Sequence, residues 1–147
     1  MQDPDSKTFA ARSKQSAYEG GVRTPIIYSW GDKLKNIDRP ELATSLDIFP
    51  TVLAAAGAEI PADLPGLNLL AQLKSGNKIN RDRIFGESFA HDVIDVNNPE
   101  KTLLYRWVIE GQWKLLLTYD GIVTRYGKAH PRKEKRPQLF NLIADPH

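Results

Sequence analysis

The hydrophobic pattern changes period along this chain, and the change separates two kinds of element. In the second half, apolar residues alternate through 103–109 and 113–119 on either side of Glu110, Gly111 and Gln112, which predicts an antiparallel hairpin. Tyr105, Trp107 and Ile109 share one face of the first strand, and Trp113, Leu115, Leu117 and Tyr119 share one face of the second. These aromatics are expected to form the core of a small sheet in preference to a sugar-stacking platform. Residues 83–89 and 139–142 supply further strands.

The first half reads differently. Pro25 drives Thr24 toward an extended conformation, and Ile26, Ile27, Tyr28 and Trp30 follow, so 23–30 is expected as a strand. Residues 31–40 are charged and loop-like. A helix is predicted from Ser45 to Gly57: Ser45 or Asp47 caps its start, and Pro50 sits in the first turn, where a missing N–H costs little. Ile48, Val52, Leu53 and Ala56 share a face at helical spacing, and Gly57 suits the C-terminal cap. Asp47 is read as a cap in preference to a metal ligand. Residues 60–66 form a loop and 67–74 a short helix ending near Gly76. The polar stretch 77–83 is the expected boundary, giving a region 1–76 of mixed α/β character and a small antiparallel region 77–147.

Composition adds mostly exclusions. The 147 residues, 41% hydrophobic and 26% charged, suit a globular chain. The net charge of +2 is too mild to imply nucleic-acid binding, and no apolar run is long enough to cross a membrane. Neither nucleic acid nor membrane is therefore expected as a partner. Residues 1–15 are polar and lack the hydrophobic core of a secretory signal. Cysteine is absent, which excludes disulfides and thiolate metal sites.

Candidate chemistry concentrates in 14–25. Lys14 carries a compact charge suited to a tetrahedral oxyanion, or it is a solvated loop lysine. Gly20 and Gly21 can adopt positive φ or admit a close approach of backbone or ligand. Arg23 could clamp an oxyanion, but is expected to brace the loop with Glu19 as its partner. Elsewhere, His91 beside Asp92 could serve as a base or an anion contact, or form an exposed loop pair. Adding Asp95 gives no recognised metal spacing, and no metal ligand is assigned. Lys128, His130, Arg132, Lys133, Lys135 and Arg136 form a basic run, read as a solvated loop or as an attractor for a polyanion.

Several stretches carry a resemblance. Lys14 lies four positions before Tyr-Glu-Gly-Gly-Val-Arg at 18–23. This is similar to the Gly-Lys-x-x-x-Tyr-Glu-Gly-Gly-Val-Arg pattern of the sulfatase family, within the alkaline phosphatase superfamily, with Ser13 in place of the glycine. In the family's order there follow the 45–57 helix, Leu-Pro-Gly-Leu-Asn-Leu-Leu at 64–70, Glu-Gly-Gln-Trp-Lys-Leu at 110–115, Gln-Leu-Phe-Asn-Leu at 138–142 and Asp-Pro-His at 145–147. Positions 67 and 68 depart from the family's usual residues.

The resemblance implies an α/β fold: the C-terminal fragment of an alkaline-phosphatase-like sulfatase, comprising one strand and helices of the main sheet and a small antiparallel β subdomain. It implies a parent enzyme that hydrolyses sulfate esters or sulfamates with a formylglycine nucleophile and a divalent cation, usually Ca2+. Lys14 would bind the sulfate, and His91 would contact substrate from a loop bordering the cleft. The Cys/Ser-x-Pro-x-Arg motif and the paired acidic metal ligands of the family are missing, so the chain is expected to begin after them, to stop short at its other end and to be inactive alone. Its partners would be a sulfated small molecule or sulfated polysaccharide and the remaining N-terminal part of the sulfatase. A phosphodiesterase or phosphonate hydrolase of the same superfamily, and a non-catalytic polyanion- or glycan-binding module, are the alternatives.

Overall fold

A computed structural model of the chain describes residues 12–13, 16–125 and 132–145. These form two compact units, one of residues 25–84 and one of the described residues within 1–24 and 85–147. The fold is mixed α/β.

The second unit is built on a four-stranded sheet in the order β1 (Arg83–Phe89), β2 (Leu103–Glu110), β3 (Trp113–Thr118) and β4 (Gln138–Asn141). The border between the units falls inside β1, at Ile84. A 3-10 turn, Pro99–Thr102, leads into β2, and the β2–β3 hairpin and the β3–β4 pair are antiparallel. The strands and the Glu110 to Gln112 turn fall where the alternation placed them.

The facing of β3 does not. Residues paired across neighbouring strands project to the same side. Trp107 pairs with Leu116 and Ile109 with Lys114, while Lys114 pairs with Phe140 and Leu116 with Gln138. The inner face therefore carries Tyr105, Trp107, Ile109, Lys114, Leu116, Gln138 and Phe140. Trp113, expected in the core, is 46% exposed, and Leu115, Leu117 and Tyr119 are only half-buried. Apolar alternation assigned the wrong side because the buried side of β3 includes a lysine.

Ala17, Tyr18, Ala90, Leu104, Tyr105 and Leu116 make the core of this unit, with Trp107, Val123 and Phe140 packed against it. Gly86 of β1 lets the Trp107 indole in: a Cβ at that position would lie 2.1 Å from Cζ2. A single-turn helix, α1 (Glu19–Val22), follows the core residues Ala17 and Tyr18.

The unit of residues 25–84 is organised by α2 (Ile48–Ala56) and α3 (Leu70–Ser75). A 3-10 turn, Ser45–Asp47, precedes α2, and its cap is Thr44: the Thr44 hydroxyl accepts from the Leu46 N–H while the Thr44 N–H donates to Asp47. Gly57 closes α2 in the left-handed conformation, as expected. Asp47 is fully buried and accepts from the backbone N–H of Thr44 and Leu67, both at 2.8 Å, and from both terminal nitrogens of Arg81 at 2.5 and 2.7 Å. Its carboxylate is thus a structural hub. Burial acts to raise its pKa, but the Arg81 pair and the two backbone donors outweigh that and hold it below the ordinary carboxylate value.

Two expectations for this unit are corrected. Residues 23–30 form no strand; only an isolated bridge joins Trp30 to Asp32, and Ile27 is 84% exposed. Pro25 lacks a donor, and no described strand offers the segment a ladder. On α2 the buried residues are Pro50 and Thr51, whereas Ile48, Phe49 and Val52 face outward. The Asp47 hub and the hydrogen bond from the Leu69 N–H to Thr51 Oγ1 turn that side of the helix inward. The short helix expected from residue 67 begins at Leu70, after Leu67 has donated its N–H to Asp47 and Leu69 its N–H to Thr51.

Candidate functional site

Lys14, the proposed anion-binding residue, lies with Gln15 outside the described residues. Its neighbours on both sides are firmly held. Upstream, Arg12 adopts a positive φ of 59° and lays its guanidinium 4.6 Å from the centre of the Tyr18 ring. The Ser16 N–H donates to the Ser13 carbonyl at 3.0 Å. Gly21 is needed for close approach and not for positive φ: a Cβ there would stand 2.5 Å from the Ser13 carbonyl oxygen and 2.2 Å from that of Ser16.

Downstream, Ser16, Ala17, Tyr18 and Glu19 are all buried. The Tyr18 ring meets Tyr105 and Phe140 edge-on at centroid distances of 6.3 and 5.9 Å, and its hydroxyl donates to Gln138 Oε1 at 3.1 Å. Burial foremost, and the neighbouring Tyr18, push the Tyr105 phenol well above its ordinary pKa, so it stays protonated.

The strongest tie comes from β3. Lys114, 1% exposed, donates from Nζ to the Ala17 carbonyl and to Glu19 Oε1, each at 2.6 Å. The ammonium sits 5.0 Å from the centre of the Trp107 ring. Burial lowers the Lys114 pKa, and the Glu19 carboxylate opposes that shift without cancelling it. Glu19 is therefore the partner of Lys114 and not of Arg23, which is exposed and donates only its backbone N–H to the Glu19 carbonyl. In the sequence, Lys114 stands out only as part of Glu-Gly-Gln-Trp-Lys-Leu. The available signal was its place in alternation with Leu116, which the preference for charged residues outside the core concealed.

His91 lies on the loop after β1. Its Nδ1 is 2.9 Å from Asp92 Oδ1, and Asp92 Oδ2 accepts from the Thr124 hydroxyl at 2.7 Å and lies 3.4 Å from Arg125 Nε. The His91 hydrogen bond foremost, then Thr124 and Arg125, holds the Asp92 carboxyl below its usual pKa. This network pins the 91–92 loop to residues 124–125. Asp95 belongs to a different cluster, bonding Lys101 at 2.6 Å and Asn98 at 2.9 Å. Among the described residues no three His, Asp or Glu side chains converge as a metal site.

The basic run is largely engaged where it is described. Arg132 donates to the carbonyls of Tyr119 and Gly121, Lys135 pairs with Asp120, and Arg136 pairs with Glu134 at 2.7 Å. Lys128 and His130 lie outside the described residues.

Residues 9–146 match the family described as "N-sulphoglucosamine sulphohydrolase, C-terminal". The chain is 38% identical over 142 residues to arylsulfatase A of Bos taurus, covering 90% of this chain and 26% of that protein. It is 30% identical over 135 residues to N-acetylgalactosamine-6-O-sulfatase of Bacteroides thetaiotaomicron, covering 90% of this chain and 24% of the relative. The chain thus spans about a quarter of the length of the curated relatives it matches. Among solved structures, a sulfatase from the glycosaminoglycan metabolism of Bacteroides thetaiotaomicron superposes with a TM-score of 0.56 at 19% identity, over 80% of this chain and 24% of its own.

Proposed function

We propose that this chain, which belongs to the N-sulphoglucosamine sulphohydrolase C-terminal family of sulfatases, serves a sulfatase that hydrolyses sulfate esters or sulfamates and contributes the lysine that binds the sulfate. The observation that carries the reading is the family match across 9–146, which includes Lys14 and the braced 16–22 segment. An ammonium facing the sulfate oxygens would stabilise the charge that develops on the bridging oxygen as the alcohol leaves.

His91 is the proposed substrate contact. With Nδ1 tied to Asp92, the ring has a fixed orientation from which it can meet a polar group of a sulfated sugar or a smaller sulfated molecule. The Asp92 bridge to Thr124 holds that loop in place.

The calcium ion and formylglycine implied for the parent enzyme do not fit the residues described. The sequence has no Cys/Ser-x-Pro-x-Arg motif, and no acidic or histidine cluster converges among the described residues. Both would be held by the N-terminal part of the sulfatase, the proposed partner of this chain. Positive charge without nucleophile or metal gives weak ground-state anion binding, so the chain alone is expected to release no sulfate.

The test joins the chain to its upstream coding sequence and measures sulfate release from an aryl sulfate and from a sulfated disaccharide. The joined protein should turn over, and Lys14→Ala should lower kcat/KM by about a hundredfold or more, the scale seen when one such charge-stabilising donor is removed. Full activity of Lys14→Ala, or no turnover with a Cys/Ser-x-Pro-x-Arg motif present upstream, would refute the reading.

A further inference from the structure

We propose that Lys33, Lys35 and Lys74, gathered around the Trp30 indole, form a binding site for a sulfated polysaccharide; the choice of polymer rests on the sulfatase reading above. All four residues belong to the unit of residues 25–84. Gly31, at a positive φ of 51°, turns the chain so that the Lys33 N–H donates to the Trp30 carbonyl at 3.0 Å. The Lys33 ammonium thereby returns to 4.5 Å from the centre of the half-buried indole. Lys74, in the last turn of α3, brings its ammonium to 5.4 Å from the same ring. Lys35 donates to the Ser75 carbonyl at 2.8 Å, and Lys35 and Ile37 pack against Gly76 at the end of the helix. Arg39, on the Asn77 carbonyl, closes the same loop.

The way this charge is held points to a ligand. An indole collects cations without neutralising them, whereas a carboxylate cancels them. Among the described residues no ion pair joins Lys33, Lys35 or Lys74 to an acid, although Asp32 and Asp38 lie in the same loop. The Lys33 and Lys74 ammonium groups stand within about 10 Å of each other, a Debye length at moderate salt, so their repulsion is felt. The C-terminal end of a helix accounts for Lys74 alone, not for two lysines that a separate loop delivers beside it. An anion with several charged groups relieves the repulsion by meeting them together. In the basic run, by contrast, Arg132, Lys135 and Arg136 are spent on carbonyls and carboxylates. Ammonium groups on flexible stems suit sulfates spaced along a sugar chain, since each acts as a point charge and none demands a bidentate fork. With lysines over the indole, the ring offers no open platform on the side they cover for a stacked nucleobase, which disfavours single-stranded nucleic acid.

The experiment measures binding of the joined protein to dextran sulfate, with unsulfated dextran, a single-stranded thymidine oligonucleotide and polyglutamate as rival probes. Thermal unfolding and sulfate release from an aryl sulfate are followed beside it. The parent should prefer dextran sulfate. The triple variant Lys33→Gln, Lys35→Gln, Lys74→Gln should bind it about tenfold or more weakly, with a shallower dependence on salt and a retained unfolding transition. Trp30→Leu keeps every charge but removes the ring that gathers them, so it should weaken binding as well; where it melts early, Trp30→Phe takes its place, with an intermediate affinity expected. Parental affinity in the triple variant would overturn the inference. So would equal binding of the oligonucleotide or polyglutamate, or loss of binding only when Lys133, Lys135 and Arg136 are replaced by glutamine. No binding of dextran sulfate while the aryl sulfate is still hydrolysed sinks this inference and leaves the sulfatase reading intact. Binding without sulfate release, in a protein whose upstream part carries the Cys/Ser-x-Pro-x-Arg motif, does the reverse.

Discussion

Asp47→Ala should be among the most damaging single changes outside the core. The side chain is fully buried and serves four donors: the N–H groups of Thr44 and Leu67 and the two terminal nitrogens of Arg81. Truncation leaves the Arg81 guanidinium, itself only 12% exposed, with a long contact of 3.4 Å to the Leu42 carbonyl. Removing one partner of a buried pair costs about 3–5 kcal/mol. The freed N–H groups add little, since Thr44 and Leu67 are partly open to water. Asp47→Ala should therefore cost about 3–5 kcal/mol, felt in the unit of residues 25–84. Urea titration with hydrogen exchange of the 44–56 segment measures it. Adding Arg81→Met should recover part of the loss, with a coupling of about 1–3 kcal/mol in the double-mutant cycle. A loss below about 1 kcal/mol, or no coupling to Arg81, would refute the hub.

The pH dependence follows from the same carboxylate. Because the pKa of Asp47 is lower folded than unfolded, its stabilisation is complete above the ordinary carboxylate value near about 4 and is lost as pH falls through the folded value. Exchange in 44–56 should accelerate below about pH 4 in the parent chain and lose that dependence in Asp47→Ala. Gly86→Val should displace the Trp107 indole and cost about 1–3 kcal/mol, read as a lower unfolding temperature and altered tryptophan emission; an unchanged melt would contradict the packing. Asp92→Ala removes the acceptor shared by His91 and Thr124, so exchange should rise in 121–125 while β2 and β3 stay protected; equal exchange in both proteins would deny the loop link.

Local chemistry made much of the architecture legible. The hairpin strands, the Gly111 turn and the Gly57 cap depend on alternation and on residues with special backbone freedom, and those signals lie within a few positions of the element they define. The family, too, was readable, because its motifs are short and contiguous in sequence.

The facing of β3, the outward side of α2 and the absent strand at 23–30 were not legible, for one reason. Each depends on a distant partner: Lys114 on Ala17 and Glu19, Asp47 on Leu67 and Arg81, and a strand on a neighbour to pair with. By itself the sequence offered candidates for the chemistry, Lys14 and His91 among them. Only the tertiary structure decided that a lysine from β3 grips the segment beside Lys14, because burying a charge is favourable only where the fold delivers an opposite charge and a carbonyl to meet it.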